Sequence, residues 1–149
     1  MIDMFGRSLV AILLVAGCNS GSNSIPSAST AAAGTLTGVT WHLVSYDDGA
    51  GTLIDIVPGS DPTAVFDAAG TISGNGTCNM FSGPVAVNGT TIRLGQLMST
   101  DRACMDARLN GQETAYLKAL RSSSMLDVGT GTLEFGNAAG VLTLSFEKR

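Results

Sequence analysis

A single histidine, His42, is all the imidazole in this 149-residue chain, so a Ser-His-Asp triad or a histidine-based metal centre has little to be built from. No Gly-x-Ser-x-Gly elbow and no glycine-rich phosphate loop occurs, which removes the common signatures of serine hydrolases and nucleotide binders. No Cys-x-x-Cys pair supports redox catalysis. Charge is sparse as well: 13% of residues are charged, against about 25% in ordinary soluble domains. The formal net charge is −4 and no basic cluster is present, which argues against nucleic acid as a partner. Beyond the first residues no run approaches the roughly 20 apolar residues of a spanning helix. These absences point away from an enzyme and from any cofactor.

The amino-terminal region carries an address. A short apolar run follows Arg7 and ends in Leu14-Val15-Ala16-Gly17-Cys18, with small residues directly before the cysteine. This is the layout of a bacterial lipoprotein signal, with residues 1–17 removed and Cys18 lipidated. Ser8 to Ala16 is too short to span a bilayer. Asp3 offsets Arg7 where positive charge is wanted, and a start at Met4 gives a better leader. The expected membrane contact is therefore the lipid on Cys18. Residues 18–34 comprise that cysteine and an uncharged Ser, Asn, Ala, Gly and Thr stretch, which reads as a flexible tether reaching roughly 20 to 25 Å.

Residues 35–149 are left for one domain with one core. Short strand-like runs alternate with turn signals, which predicts a mostly β meander. Thr40 to Tyr46 alternates with period two, placing Trp41 and Leu43 on one face and His42 on the other. Leu53 to Val57, Ala64 to Phe66 and Thr71 to Ser73 follow, the last two joined at Asp67-Ala68-Ala69-Gly70. Asn88-Gly89 between Pro84–Val87 and Thr91–Leu94 is the strongest hairpin signal in the chain. Thr132 to Phe135 and Val141 to Phe146 form a final hairpin. From Asp106 to Arg121, apolar residues at three- and four-residue spacings predict one amphipathic helix. Its start is ambiguous: Asn110 as cap places Glu113 in a capping-box position, whereas an earlier start leaves Gly111 inside the helix at about 1 kcal/mol relative to alanine. Trp41, Phe66, Phe81, Phe135 and Phe146 are the candidate core. The fold class expected is α+β, mostly β, with one helix packed on a sheet.

Four segments carry a resemblance. They are Leu36-Thr37-Gly38-Val39-Thr40-Trp41-His42-Leu43, Ser73-Gly74-Asn75-Gly76-Thr77-Cys78-Asn79-Met80-Phe81-Ser82-Gly83, Ser99-Thr100-Asp101-Arg102-Ala103-Cys104, and Glu113-Thr114-Ala115-Tyr116-Leu117-Lys118-Ala119-Leu120. In this order the chain resembles the META domain of HslJ-like bacterial lipoproteins, over nearly all of Leu36 to Phe146. It departs from the family pattern at Thr77, where glycine is usual, at Arg102, where methionine is usual, and at Val39. The resemblance implies a strongly curved antiparallel sheet, open-barrel-like, with one helix packed against it. It also implies a place in the cell envelope, a link to heat-shock response and to novobiocin tolerance, and no established catalytic activity. Asn19 after the lipidated cysteine resembles the sorting pattern for the outer membrane, facing the periplasm, in a host with two membranes. An envelope protein partner is expected, its identity open.

With Cys18 lipidated, Cys78 and Cys104 are the two remaining thiols, in a compartment where disulfides persist. A bridge closing about 26 residues stabilises by roughly 3 kcal/mol in the chain-entropy model. Buried free thiols and a redox pair remain the alternatives. Glu113, Asn79 and Arg102 are the polar residues of interest. For Glu113 the ordinary roles are a helix cap or a solvated edge, and a buried ion pair with Arg102 or Arg93 is the other. Asp47, Asp48, Asp55 and Asp61 cluster along the chain, but their spacing fails the EF-hand pattern, so no metal is expected.

Overall fold

Alternation of buried and exposed side chains, interrupted by aspartate, asparagine and glycine turns, sets the architecture. The computed structural model describes residues 36–149; Cys18, the leader and the tether lie outside them. Among the described residues, ten strands and one helix of several turns follow in chain order: β1 Thr40–Asp47, β2 Leu53–Asp55, β3 Thr63–Phe66, β4 Thr71–Asn75, β5 Met80–Asn88, β6 Thr91–Leu94, β7 Met98–Ser99, α1 Ala107–Ser122, β8 Met125–Val128, β9 Thr132–Gly136 and β10 Leu142–Lys148. Neighbouring strands are antiparallel in the order β1-β3-β4-β5-β6-β8-β9-β10. β10 then pairs with β1, from Trp41 opposite Lys148 to Tyr46 opposite Leu144. The expected curved sheet thus closes into an eight-stranded barrel, which leaves no open edge around the ring. β2 pairs antiparallel with the last three residues of β1, and β7 pairs with the start of β5.

Turn chemistry explains several of the connections. Asp67 accepts from the N–H groups of Ala69 and Thr71, both at 2.9 Å, and Asn137 holds Ala139 and Val141 in the same way. Side chains that bond backbone two and four residues ahead mimic a turn and lock the hairpin. Bulges in β1 between Leu43 and Ser45, and in β10 between Leu142 and Leu144, add the bending that closure needs. Gly74 stands where a Cβ would meet the carbonyl of Thr63, so β3 and β4 approach closely only because that side chain is missing.

The interior is filled by rings. Phe66, Phe135, Phe146, Tyr116 and Phe81 form a chain of aromatic contacts with centroids 5.5 to 6.4 Å apart, and Trp41 is 2% exposed. All five aromatic residues assigned to the core from sequence are there. β3, β4 and β9 show the inside-outside alternation directly.

Two details differ from the sequence reading, and the open question of the helix start is resolved. β7 and β8 were not anticipated. β2 ends at Asp55 and not at Val57, because the Val57 N–H is taken by the Gln112 side chain at 2.5 Å. The helix starts at Ala107, capped by Asp106, whose carboxylate accepts from the Arg108 N–H at 2.8 Å. Asn110 is not the cap: its side chain accepts from the Cys104 N–H and donates to the Cys104 carbonyl, at 2.9 and 3.1 Å. Gly111 therefore lies inside the helix.

Candidate functional site

The helix covers the barrel end formed by the β4–β5 connection, the start of β3 and the end of β1. Its buried residues are Gln112, Glu113, Tyr116, Leu117, Ala119 and Leu120. Tyr116 enters the barrel, its ring edge-on to Phe81 and Phe146 and its hydroxyl donating to the Thr63 carbonyl at 3.1 Å. Burial pushes that phenol far above its ordinary pKa.

One turn earlier, Glu113 reaches the β4–β5 connection. Its Oε2 accepts from the backbone N–H groups of Cys78 and Asn79, both at 2.8 Å, and its Oε1 accepts from the Asn79 side-chain amide at 2.5 Å. The Asn79 Nδ2 also donates to the Arg102 carbonyl at 2.8 Å. Its Oδ1 accepts from the Arg102 N–H and the Thr100 hydroxyl, both at 2.8 Å. Asn79 thus makes all four bonds its amide can make, and it is 6% exposed. Gly76 makes room for Glu113, since a Cβ there would stand 2.8 Å from the Glu113 carboxylate. Cys78 and Cys104 are joined in a disulfide with Cα atoms 5.6 Å apart. The bridge, Asn79 and Glu113 tie three separate segments into one corner.

This places the residues singled out from sequence, with corrections. Glu113 is neither a cap nor a solvated edge, and it forms no ion pair with Arg102 or Arg93; both arginines are exposed. Arg102 contributes its backbone alone. Its N–H and carbonyl serve Asn79 whatever side chain stands there, which explains how arginine replaces the family's methionine. Thr77, where the family has glycine, has φ +143°, a region costly for a β-branched residue. Gln112 escaped the sequence reading: it accepts from Val57 and donates to the Ser60 and Thr77 hydroxyls, both at 2.9 Å. Its signal was its place beside Glu113, one turn before Tyr116 on the buried face.

The aspartates do not gather. Asp47 and Asp48 accept from backbone N–H groups of their own turn. Asp61 pairs with His42 Nδ1 at 2.7 Å and with Arg149 at 3.4 Å. Among the described residues no three His, Cys, Asp or Glu side chains are arranged to hold a metal, and no helix is long and apolar enough to cross a membrane. A groove of about 490 Å³ runs between the β1–β2 turn at Asp47–Gly49 and the outer helix face at Gly111, Ala115 and Lys118. At the disulfide corner Met80, Met98 and Met105 are 59%, 68% and 107% exposed.

A family model, the META domain, matches residues 34–149. No curated protein matches the chain. Among solved structures, the chain is similar to a protein from Burkholderia xenovorans determined by NMR, with a TM-score of 0.65, 23% identity and coverage of 100% of this chain and 99% of that one. A second NMR structure gives a TM-score of 0.60 at 22% identity, covering 76% and 92%. The crystal structure of a DUF4847 family protein from Bacteroides vulgatus gives 0.53 at 14%, covering 78% and 96%. At these identities the likeness is one of fold.

Proposed function

The chain belongs to the META domain family, and from that premise we propose that it is a non-enzymatic envelope protein, lipid-anchored through Cys18, that supports tolerance of envelope stress or of novobiocin-type antibiotics. In a host with two membranes it sits on the outer membrane and faces the periplasm, where it binds or stabilises another envelope component. The observation that carries this reading is the corner at Glu113. The family's signature residues are consumed in holding the fold: Glu113 receives three N–H groups, and Asn79 has every hydrogen-bonding position filled. A carboxylate so engaged is an anchor and not a poised base, which needs reach to a substrate proton. The disulfide fits an oxidising compartment.

Fatty-acid labelling of wild type and Cys18→Ala tests the anchor: label on the wild type that vanishes in the variant is expected, and label that persists in the variant removes it. Sensitivity of a deletion strain to novobiocin and envelope stress, restored by the wild type and not by Cys18→Ala, tests the role. A deletion strain as resistant as its parent overturns it.

A second reading, a module that captures one periplasmic protein such as an inhibitor target among wall-degrading enzymes, draws support from the three exposed methionines. Flexible, polarisable thioethers suit adaptable protein contacts. A small hydrophobic ligand inside the sheet draws none, because aromatic side chains occupy the barrel axis. In-cell crosslinking from position 98 would recover the same partner repeatedly if the capture reading holds.

A further inference from the structure

Between Met98 and Arg108 no residue is fully buried. A segment without a buried apolar side chain is held by its polar bonds, and such segments open locally at low cost. Here those bonds converge on one residue. Thr100 donates its N–H to the Met80 carbonyl and its hydroxyl to Asn79, and the Arg102 N–H and carbonyl both bond Asn79. Cys104 adds the bridge to Cys78 and two bonds to Asn110.

The other jaw of this corner is strained. Thr77, directly before Cys78, is the single non-glycine residue with positive φ among the described residues. The conformation persists because its surroundings over-determine it. Its N–H donates to the Asn75 side chain at 3.1 Å, its hydroxyl accepts from Gln112, and the next two N–H groups are fixed on Glu113. Removing the covalent link takes away the strongest of these restraints, while the strain at Thr77 still favours a different backbone path.

We propose that the Cys78–Cys104 bridge is a redox-released clasp: reduction lets the strained Gly76–Asn79 connection relax and frees Thr100–Met105 from the barrel mouth while the barrel stays folded. The reductant is a dithiol. One of its thiolates attacks a bridge sulfur, the Cys78–Cys104 bond breaks, and a mixed disulfide forms with one cysteine leaving as thiolate. The second thiolate of the reductant displaces the other cysteine and closes the reductant's own disulfide. Two electrons pass to the protein, and Cys78 and Cys104 each end with one proton. The barrel survives because its rings and its β9–β10–β1 ladders lie outside the clasp. The opened state bares the Glu113 carboxylate beside the methionine corner and gives that face two forms for a partner to distinguish.

Amide hydrogen exchange on the full chain, oxidised and after dithiothreitol, tests this. On reduction, exchange at Cys78, Asn79 and Arg102 should accelerate at least about tenfold more than at Leu133, Phe135 and Leu144, which lose only the protection that goes with the bridge's share of global stability. In Thr77→Gly, where φ +143° carries no side-chain penalty, reduction should open the corner markedly less than in wild type. Unchanged protection at Arg102 after reduction overturns the clasp. Equal acceleration at Leu133, Leu144 and the corner also overturns it, since the bridge then acts on the whole fold and not on the corner. Equal opening in wild type and Thr77→Gly overturns the part assigned to strain.

Discussion

Three N–H groups converge on the Glu113 carboxylate, two from the backbone of Cys78 and Asn79 and one from the Asn79 side chain. Glu113 is 8% exposed and Asn79 is 6% exposed, so water is poorly placed to replace the acceptor. Glu113→Ala should therefore destabilise by about 3 kcal/mol or more, because buried donors left unpaired keep their full desolvation penalty. Arg102→Ala should change stability by less than about 0.5 kcal/mol, since only its backbone is used and its side chain is exposed. Denaturant titration of the two variants separates these outcomes. A loss for Arg102→Ala as large as for Glu113→Ala would show that the guanidinium does bind the carboxylate. Neither the cap or solvated edge expected from sequence nor the alternative ion pair holds, for a definite reason: a search for cations near a buried acid overlooks backbone N–H groups, which every residue carries and no residue name reveals. The same blindness hid the cost at Thr77. Its departure from glycine was plain in the sequence, but its meaning lies in a backbone angle.

The helix was legible in its span from Asp106 to Arg121, with its first turn left open. Its apolar spacing gave the element, whereas Asn110 as cap and an earlier start both fitted the pattern, and the earlier start holds because Asn110 is engaged with Cys104. Asp106→Ala should cost about 1 kcal/mol through the lost cap. Gly111→Ala should stabilise by about 1 kcal/mol, because a Cβ there meets nothing within 4 Å. Thermal unfolding should move in opposite directions for the two. A destabilised Gly111→Ala would mean that the groove beside the β1–β2 turn needs the bare backbone. Among strands, those flanking Asn88-Gly89 and those with clean alternation were visible, as was the final hairpin. β7 is two residues long and gives no period to read. β8 follows three serines that end the helix, and its four residues Met125–Val128 alternate too briefly to stand out. Closure was the least visible feature, because the β1–β10 pairing joins opposite ends of the domain and no local pattern encodes it.

At the scale of the whole molecule, the helix and the barrel are one unit because Tyr116 belongs to both. It sits on α1, packs between Phe81 of β5 and Phe146 of β10, and bonds the first carbonyl of β3. That makes the fold sensitive to alkali. Burial holds the Tyr116 phenol protonated far beyond its ordinary value of 10.0, and burial followed by the charge of Asp48 raises Tyr46 as well. In the unfolded chain both phenols ionise near pH 10. Above that pH the unfolded state binds fewer protons than the folded one, so stability falls as pH rises, by up to about 1.4 kcal/mol per pH unit for Tyr116 alone. Below pH 10 the contribution is fully present and stability should not depend on these groups. Tyr116→Phe gives up the bond to Thr63, about 1 kcal/mol at neutral pH, but keeps the ring in its aromatic contacts. Urea midpoints measured from about pH 8 to 11 should therefore start lower for Tyr116→Phe and fall less steeply than for wild type. Parallel slopes would mean that alkali enters elsewhere, and that the helix plug is not the element whose proton the fold protects.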